Sequence, residues 1–335
     1  MNPSIEHPDR SSQGLLHAFV LNGQGSAQSI SFAQLAQLQL TAEQSLWLHW
    51  DRSHAHTEQW LRQSSGLNEF ACDLLLEEST RPRLVRLEHQ ALLLFLRAIN
   101  LNPQAEPEDM ISLRLFANQQ SIYSLRQRPV QVTDELIKAF EKGFGPKNTS
   151  ELLLFFAQSL TDRLELTVSQ LADSVDQEEA DTDNDERHVP VVLPLLQARR
   201  RAANLRRFLA PQRDVFAMLT LSQEAWFMPD DTLYWNELNN RLMLHLEELE
   251  LTRERIGLVL ETEHRRRNER ISHTMYLLTI ITGFFLPMTF VTGLLGINVG
   301  GIPGSDYAYG FLVACAVLMI LAVGQWLFFR WLRWV

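Results

Sequence analysis

The residues best placed to do chemistry lie in the least charged part of the chain. Met275, Thr279, Thr282, Leu286, Thr289, Gly293 and Gly296 follow one another at alternating spacings of four and three. That spacing puts them on one face of a helix. Three of the four threonines between Met275 and Leu295 fall on this stripe, and Asn298 follows in the loop GINVGGIPG, 296–304. Hydroxyls and an amide carry no charge to strip a divalent cation, but they hydrogen-bond the waters of a hydrated one. A ring of Asn298 amides at the mouth of a pore would select a hydrated ion by size and charge. Met275 and Leu286 would act as apolar constrictions, which gate by dewetting. The other explanation of such a stripe is close helix packing in lipid, where small and hydroxylated residues let backbones approach. Pro287 lacks an N–H and so frees the carbonyl of Gly283, a break expected at membrane depth where backbone lines a cavity.

The elements that must hold this stripe are two apolar runs. Met275–Leu295 and Ala308–Phe329 are 21 and 22 residues without a charge. At 1.5 Å per residue each spans roughly 30 Å, the thickness of a hydrocarbon core. Arg265, Arg266, Arg267 and Arg270 precede the first run, and Arg330 and Arg333 follow the second. The loop between them holds no Lys or Arg and one acid, Asp306. Positive flanks stay inside, so both termini are expected in the cytoplasm and the loop outside. The same arginines anchor to anionic lipid or form a positive barrier at the inner mouth. Trp326, Trp331 and Trp334 suit an interfacial belt. Neither run contains Asp, Glu, His, Lys or Arg, so an intramembrane proton relay has no ionisable group to use. Two spans cannot enclose water, so a pore requires several chains around an axis.

The 335 residues carry a net charge of −10, which disfavours nucleic acid as a partner. Cys72 and Cys315 form no metal motif and no disulfide framework. The N-terminal MNPSIEHPDRSSQ lacks an apolar core, so no cleavable signal is expected. There is no phosphate-binding glycine loop, HExxH or nucleophile elbow, so the chain is not expected to be an enzyme and no cofactor is expected.

Residues 1–125 alternate strand-like runs (14–23, 46–51, 83–101 and 111–120) with helical segments at 56–63 and 68–78. This predicts an α/β domain with a central sheet. Helical spacing continues through 134–144 and 150–175. The tract DQEEADTDNDERH, 176–188, holds seven acids in thirteen residues. It reads as a solvated helix end and loop, or as a divalent-cation attractor through Asp181, Asp183 and Asp185. Helix resumes after Pro190 and Pro194. Pro229, Asp230 and Asp231 then form a stop-and-cap signal. From about Leu233 no proline occurs before Pro287, which predicts one helix running from the soluble region into the first span. Charge pairs such as Glu261 with Arg265 and Arg265 with Glu269 are expected along it. The expected organisation is an α/β domain with a helical region at 1–190, helices and a stalk at 191–272, and a membrane hairpin at 273–335.

The long helix, the segment PMTF (287–290), a Gly-x-Asn triplet closing the first span and a short second span resemble the CorA superfamily of divalent-cation transporters. The usual triplet there is Gly-Met-Asn. Here it is Gly296-Ile297-Asn298, and the continuation VGGIPG is similar to the zinc-linked ZntB branch. The resemblance implies a funnel-shaped homopentamer in a bacterial inner membrane, with first spans around the axis and second spans outside. It implies that Gly296 and Asn298 form the mouth, and that Met275, Leu278 or Thr279, Thr282, Leu286 and Thr289 line the pore. Ile297 and the glycine-rich loop depart from the magnesium members and favour zinc over magnesium as the transported ion. Zinc prefers His, Cys and carboxylate ligands in tetrahedral sites, and the spans offer no such set. A tight zinc site would therefore lie in the soluble part. There His54 and His56 are the nearest chelating pair, and His245, His264 and His273 lie on the long helix. The alternatives are a magnesium channel of the same architecture and a membrane-anchored sensor.

Overall fold

The computed structural model describes residues 14–184, 192–297 and 308–332, with side chains described for all of these but 181–184. It divides into two compact units, one up to Val259 and one from Leu260.

The first unit is built on a seven-stranded sheet in the order β2-β1-β3-β7-β6-β5-β4. Its strands are β1 (Leu15–Leu21), β2 (Ala27–Ser29), β3 (Ser45–Asp51), β4 (Arg83–Arg86), β5 (Leu92–Ala98), β6 (Ile111–Ala117) and β7 (Ser121–Arg126). All neighbours are antiparallel except β3 and β7, which run parallel from Leu46↔Ser121 to Asp51↔Arg126. β5, LLLFLRA, is apolar almost without interruption because both faces of the sheet are covered. On one face Leu48, Trp50, Leu93 and Phe95 pack with Leu61, Cys72 and Leu75. The last three come from α2 (Ala55–Gln63) and α3 (Glu69–Leu76). On the other, Trp47 meets Phe140 and Phe156 at 6.2 and 6.0 Å, from α4 (Val132–Glu141) and α5 (Thr149–Asn184). A short α1 (Phe32–Leu35) follows β2, held by a Ser31–Gln34 capping box.

The apolar stretch 83–101 is two strands. They are joined by a 3-10 turn, Glu88–Gln90, in which His89 and Gln90 take φ of 55° and 57°. The strands β2 and β7 were not foreseen in the sequence. In SIYSLR the serines blur the apolar pattern, and only pairing with β3 and β6 makes it a strand. α5 continues to Asn184, so the first part of the acidic tract is helical.

α6 (Val192–Thr220) packs on β4, β5 and α5. α7 (Asp231–Leu295) is the long helix foreseen from the proline spacing. Asp231 is buried at its start, where it accepts from the Met228 N–H at 2.7 Å and from the Ser150 hydroxyl. A side chain reaching back in this way satisfies a donor the helix cannot. Within the first unit α7 buries Trp235, Leu238, Leu242, Leu246 and Leu249 at three- and four-residue spacing. Arg241 pairs across to Asp162 at 2.7 Å and Glu165 at 3.0 Å on α5. The pairs expected between Glu261, Arg265 and Glu269 do not close within 4.0 Å among the described residues. Exposed pairs of that kind contribute only a few tenths of a kcal/mol.

Candidate functional site: the C-terminal helical hairpin

The second unit holds the C-terminal part of α7 together with α8 (Gly310–Trp331); among the described residues these are the two helices long and apolar enough to cross a membrane. α7 ends where the Gly296 N–H reaches the carbonyls of Thr292 at 2.9 Å and Gly293 at 3.2 Å. At the far end of α8 the Arg330 guanidinium lies 5.2 Å from the Trp326 ring centroid. That is a cation–π pair of the kind that sits between lipid and water.

The two helices of the hairpin meet along defined faces. On α7 the part-shielded residues are Ile280, Gly283, Phe284, Pro287, Met288 and Val291. On α8 they are Gly310, Ala314, Leu318, Leu321, Ala322 and Gln325, with Phe329 buried. The helices come close at Gly283, where a Cβ would lie 3.1 Å from Phe329 Cζ. A glycine here lets a large ring lie against the neighbouring backbone. One turn further, Gln325 Nε2 donates to the Gly283 carbonyl at 3.3 Å. This is the carbonyl that Pro287 deprives of its helical donor. The expectation that this break lines a cavity is therefore corrected. α7 stays helical through Pro287, and the freed oxygen turns to α8 and takes an amide N–H there. In an apolar hairpin an unmet carbonyl costs several kcal/mol, so the glutamine's place is physically determined. The signal that identifies its partner is a lone amide opposite a proline-freed carbonyl.

The threonine stripe lies on another face. At 100° per residue it is centred roughly 150° around α7 from the face that meets α8. Met275, Thr279, Thr282, Leu286, Thr289 and Gly293 are all exposed in the single chain, as is Leu278, with Met275 and Leu286 at 64% and 66%. The Thr279 hydroxyl bonds back to the Met275 carbonyl at 2.8 Å, which leaves its oxygen lone pairs available to water. Gly296 and Ile297 are exposed at the end of the helix. Asn298 and Asp306 lie outside the described residues, as do Asp185 and the side chains of Asp181 and Asp183.

Of the pair His54 and His56, the first takes a structural task. His54 is the N-cap of α2, its Nδ1 accepting from the His56 N–H at 3.2 Å. The two rings sit 5.7 Å apart, edge to face. Among the described residues no three His, Cys, Asp or Glu side chains come together as a metal site. His245 is half-buried against α5, and burial holds its pKa below the usual histidine value.

A family model described as CorA-like Mg2+ transporter protein matches residues 42–331. The divalent cation transporter CmaX of Pseudomonas aeruginosa is 54% identical over 96% of this chain and 97% of its own length. The structure of the full-length CmaX protein superposes with a TM-score of 0.88, covering 97% of this chain and 99% of that one. The zinc transport protein ZntB of Yersinia enterocolitica is 32% identical over 96% of both chains. The CorA magnesium transporter of Methanocaldococcus jannaschii, 15% identical, shares the fold with a TM-score of 0.77 over 95% of this chain and 98% of its own. The soluble α/β region, the long helix and the apolar hairpin thus have one explanation: the chain belongs to the CorA family, whose members transport divalent cations and are not enzymes.

Proposed function

We propose that copies of this chain, five by the family resemblance, assemble around an axis in a bacterial inner membrane. There they conduct divalent cations, zinc foremost, along the stripe of α7. The observation that carries this is the division of faces. α8 occupies the side of α7 marked by Gly283 and Pro287, and the hydroxyl and glycine stripe is left uncovered. A face of threonines is wasted on lipid but suits a column of ordered water. The ion crosses hydrated, because neither span offers His or carboxylate and a lone Cys315 makes no ligand set. Asn298 selects at the mouth, with Gly296 and Ile297 beside it and Asp306 drawing cations to the loop. Both termini are cytoplasmic by the arginine flanks. The preference for zinc is supported by Ile297 in place of the family's methionine and by the ZntB relatives.

The test is ion flux in proteoliposomes of the purified oligomer. Zinc flux that magnesium competes for only weakly, and that falls at least tenfold in Asn298→Ala, is expected. Flux of magnesium alone would reassign the ion. No flux under any gradient, or a monomer in detergent, would reject the pore and leave the membrane-anchored sensor.

A further inference from the structure

We infer that the first unit carries a binding site for a phosphoanion, in a cavity lined by arginines between the sheet and α6. The cavity has a volume of about 470 Å³. Arg52, Arg97, Arg114, Arg128 and Arg207 reach it from five separate places in the chain, with the carboxylates of Glu78, Glu108 and Asp109 also on its wall. Among the described residues none of the five arginines forms an ion pair; Glu108 pairs with Arg201 at 3.4 Å.

Three of these arginines are fixed by backbone. Arg114, 2% exposed, donates to the carbonyls of Leu75 at 2.6 Å and Glu78 at 3.4 Å. Arg52 donates to Leu76 O at 2.9 Å and to Gln127 Oε1 at 3.2 Å. Arg97 donates to Met110 O at 2.9 Å and to Thr80 O. The carbonyls of Leu75 and Leu76 are at the C-terminal end of α3, so Arg52 and Arg114 also answer its dipole. Carbonyl dipoles hold these cations in place, but they do not neutralise them. The Arg52 Nε is buried with no partner among the described residues. Phe208 supports Arg97 a second time, at 4.6 Å from its ring centroid, and also Arg207 at 5.6 Å. Burial together with Arg52 and Arg97 pushes Arg114 down to about 9, and burial with Arg207 lowers Arg97. At about 9, Arg114 remains cationic at neutral pH.

Planar guanidinium forks match phosphate oxygens and bind them in pairs. A cavity of this volume exceeds one phosphate group and takes a pyrophosphate, alone or as the diphosphate end of a nucleotide. Such an anion would relieve the repulsion among the five arginines, a task the −10 net charge of the whole chain leaves undone locally.

The test is calorimetric titration of the full chain in detergent with pyrophosphate and, separately, ADP, at constant chloride. Saturable binding of one of them is expected, weakened at least tenfold in Arg128→Gln/Arg207→Gln. Those two arginines hold no backbone carbonyl among the described residues. The single variant Arg207→Glu should act in the same direction if the pair fails to fold, and exposed Arg199→Gln should leave affinity unchanged. Tighter binding of ADP than pyrophosphate assigns a nucleotide, and equal binding assigns the free anion. No saturable binding of either at millimolar concentration, or equal binding to the double variant, would overturn the site.

Discussion

Gln325 and Gly283 meet across the hairpin, side-chain amide to backbone carbonyl, at 3.3 Å. The same carbonyl has lost its helical donor to Pro287, four residues on. The two helices are therefore fixed at one height relative to each other by a hydrogen bond that neither sequence segment shows alone.

Replacing Gln325 with Leu should loosen this register. The Gly283 carbonyl would be left unmet, but the Gln325 Oε1, which has no partner among the described residues, would vanish with the side chain. The two effects oppose each other, so the loss should be about 1 kcal/mol, in the range of intramembrane hydrogen bonds. Thermal unfolding of the oligomer in detergent measures it. A midpoint unchanged in Gln325→Leu would show that the carbonyl is satisfied in some other way.

Size at position 283 offers an independent probe. Alanine would put a methyl 3.1 Å from the end of the Phe329 ring. The ring can tilt by a few tenths of an ångström, so Gly283→Ala should cost at most about 1 kcal/mol. Gly283→Val should cost about 1–3 kcal/mol by overpacking. Phe329→Leu should restore much of the second loss. If the valine variant is as stable as the native chain, the helices do not pack at this point.

Cysteine accessibility tests the division of faces. In a Cys315→Ala background, single cysteines at Thr282 and Thr289 should react with a membrane-impermeant thiol reagent in the assembled protein. Cysteines at Ile280 and Val291, on the side facing α8, should not. The reverse pattern would assign the water path to the wrong wall.

Acid sensitivity should trace to the sheet. His49 is fully buried, its Nδ1 2.7 Å from Ser124 Oγ, with no partner for its Nε2 among the described residues and its ring stacked on His17. Burial, with Arg126 and His17 nearby, holds its pKa well below the ordinary 6.5. The unfolded chain therefore binds a proton here before the folded chain does. Stability is complete above about pH 6.5 and falls as the pH drops below it, by up to about 1.4 kcal/mol per unit. His245 contributes in the same sense. Unfolding followed from pH 7.5 to 5 should show the loss, and His49→Asn should flatten it. An equally steep profile in that variant would place the sensitivity elsewhere.

The membrane hairpin, the long helix and the class of the soluble unit were legible in the sequence for simple reasons. Two uncharged runs have the length of a bilayer, and a proline-free stretch has the length of one helix. The threonine stripe was legible too, because helical periodicity fixes which residues share a face. That periodicity does not say what each face meets. The fate of the Gly283 carbonyl depended on a side chain 42 residues away, and His54 was committed to a cap by the start of α2. The strand β7 existed only through its partners β3 and β6. The arginines of the soluble cavity are scattered from Arg52 to Arg207, and no local pattern joins them. Spacing along the chain determined the elements; which residues stand opposite one another was decided by packing, because burial, hydrogen bonding and repulsion act between residues distant in sequence.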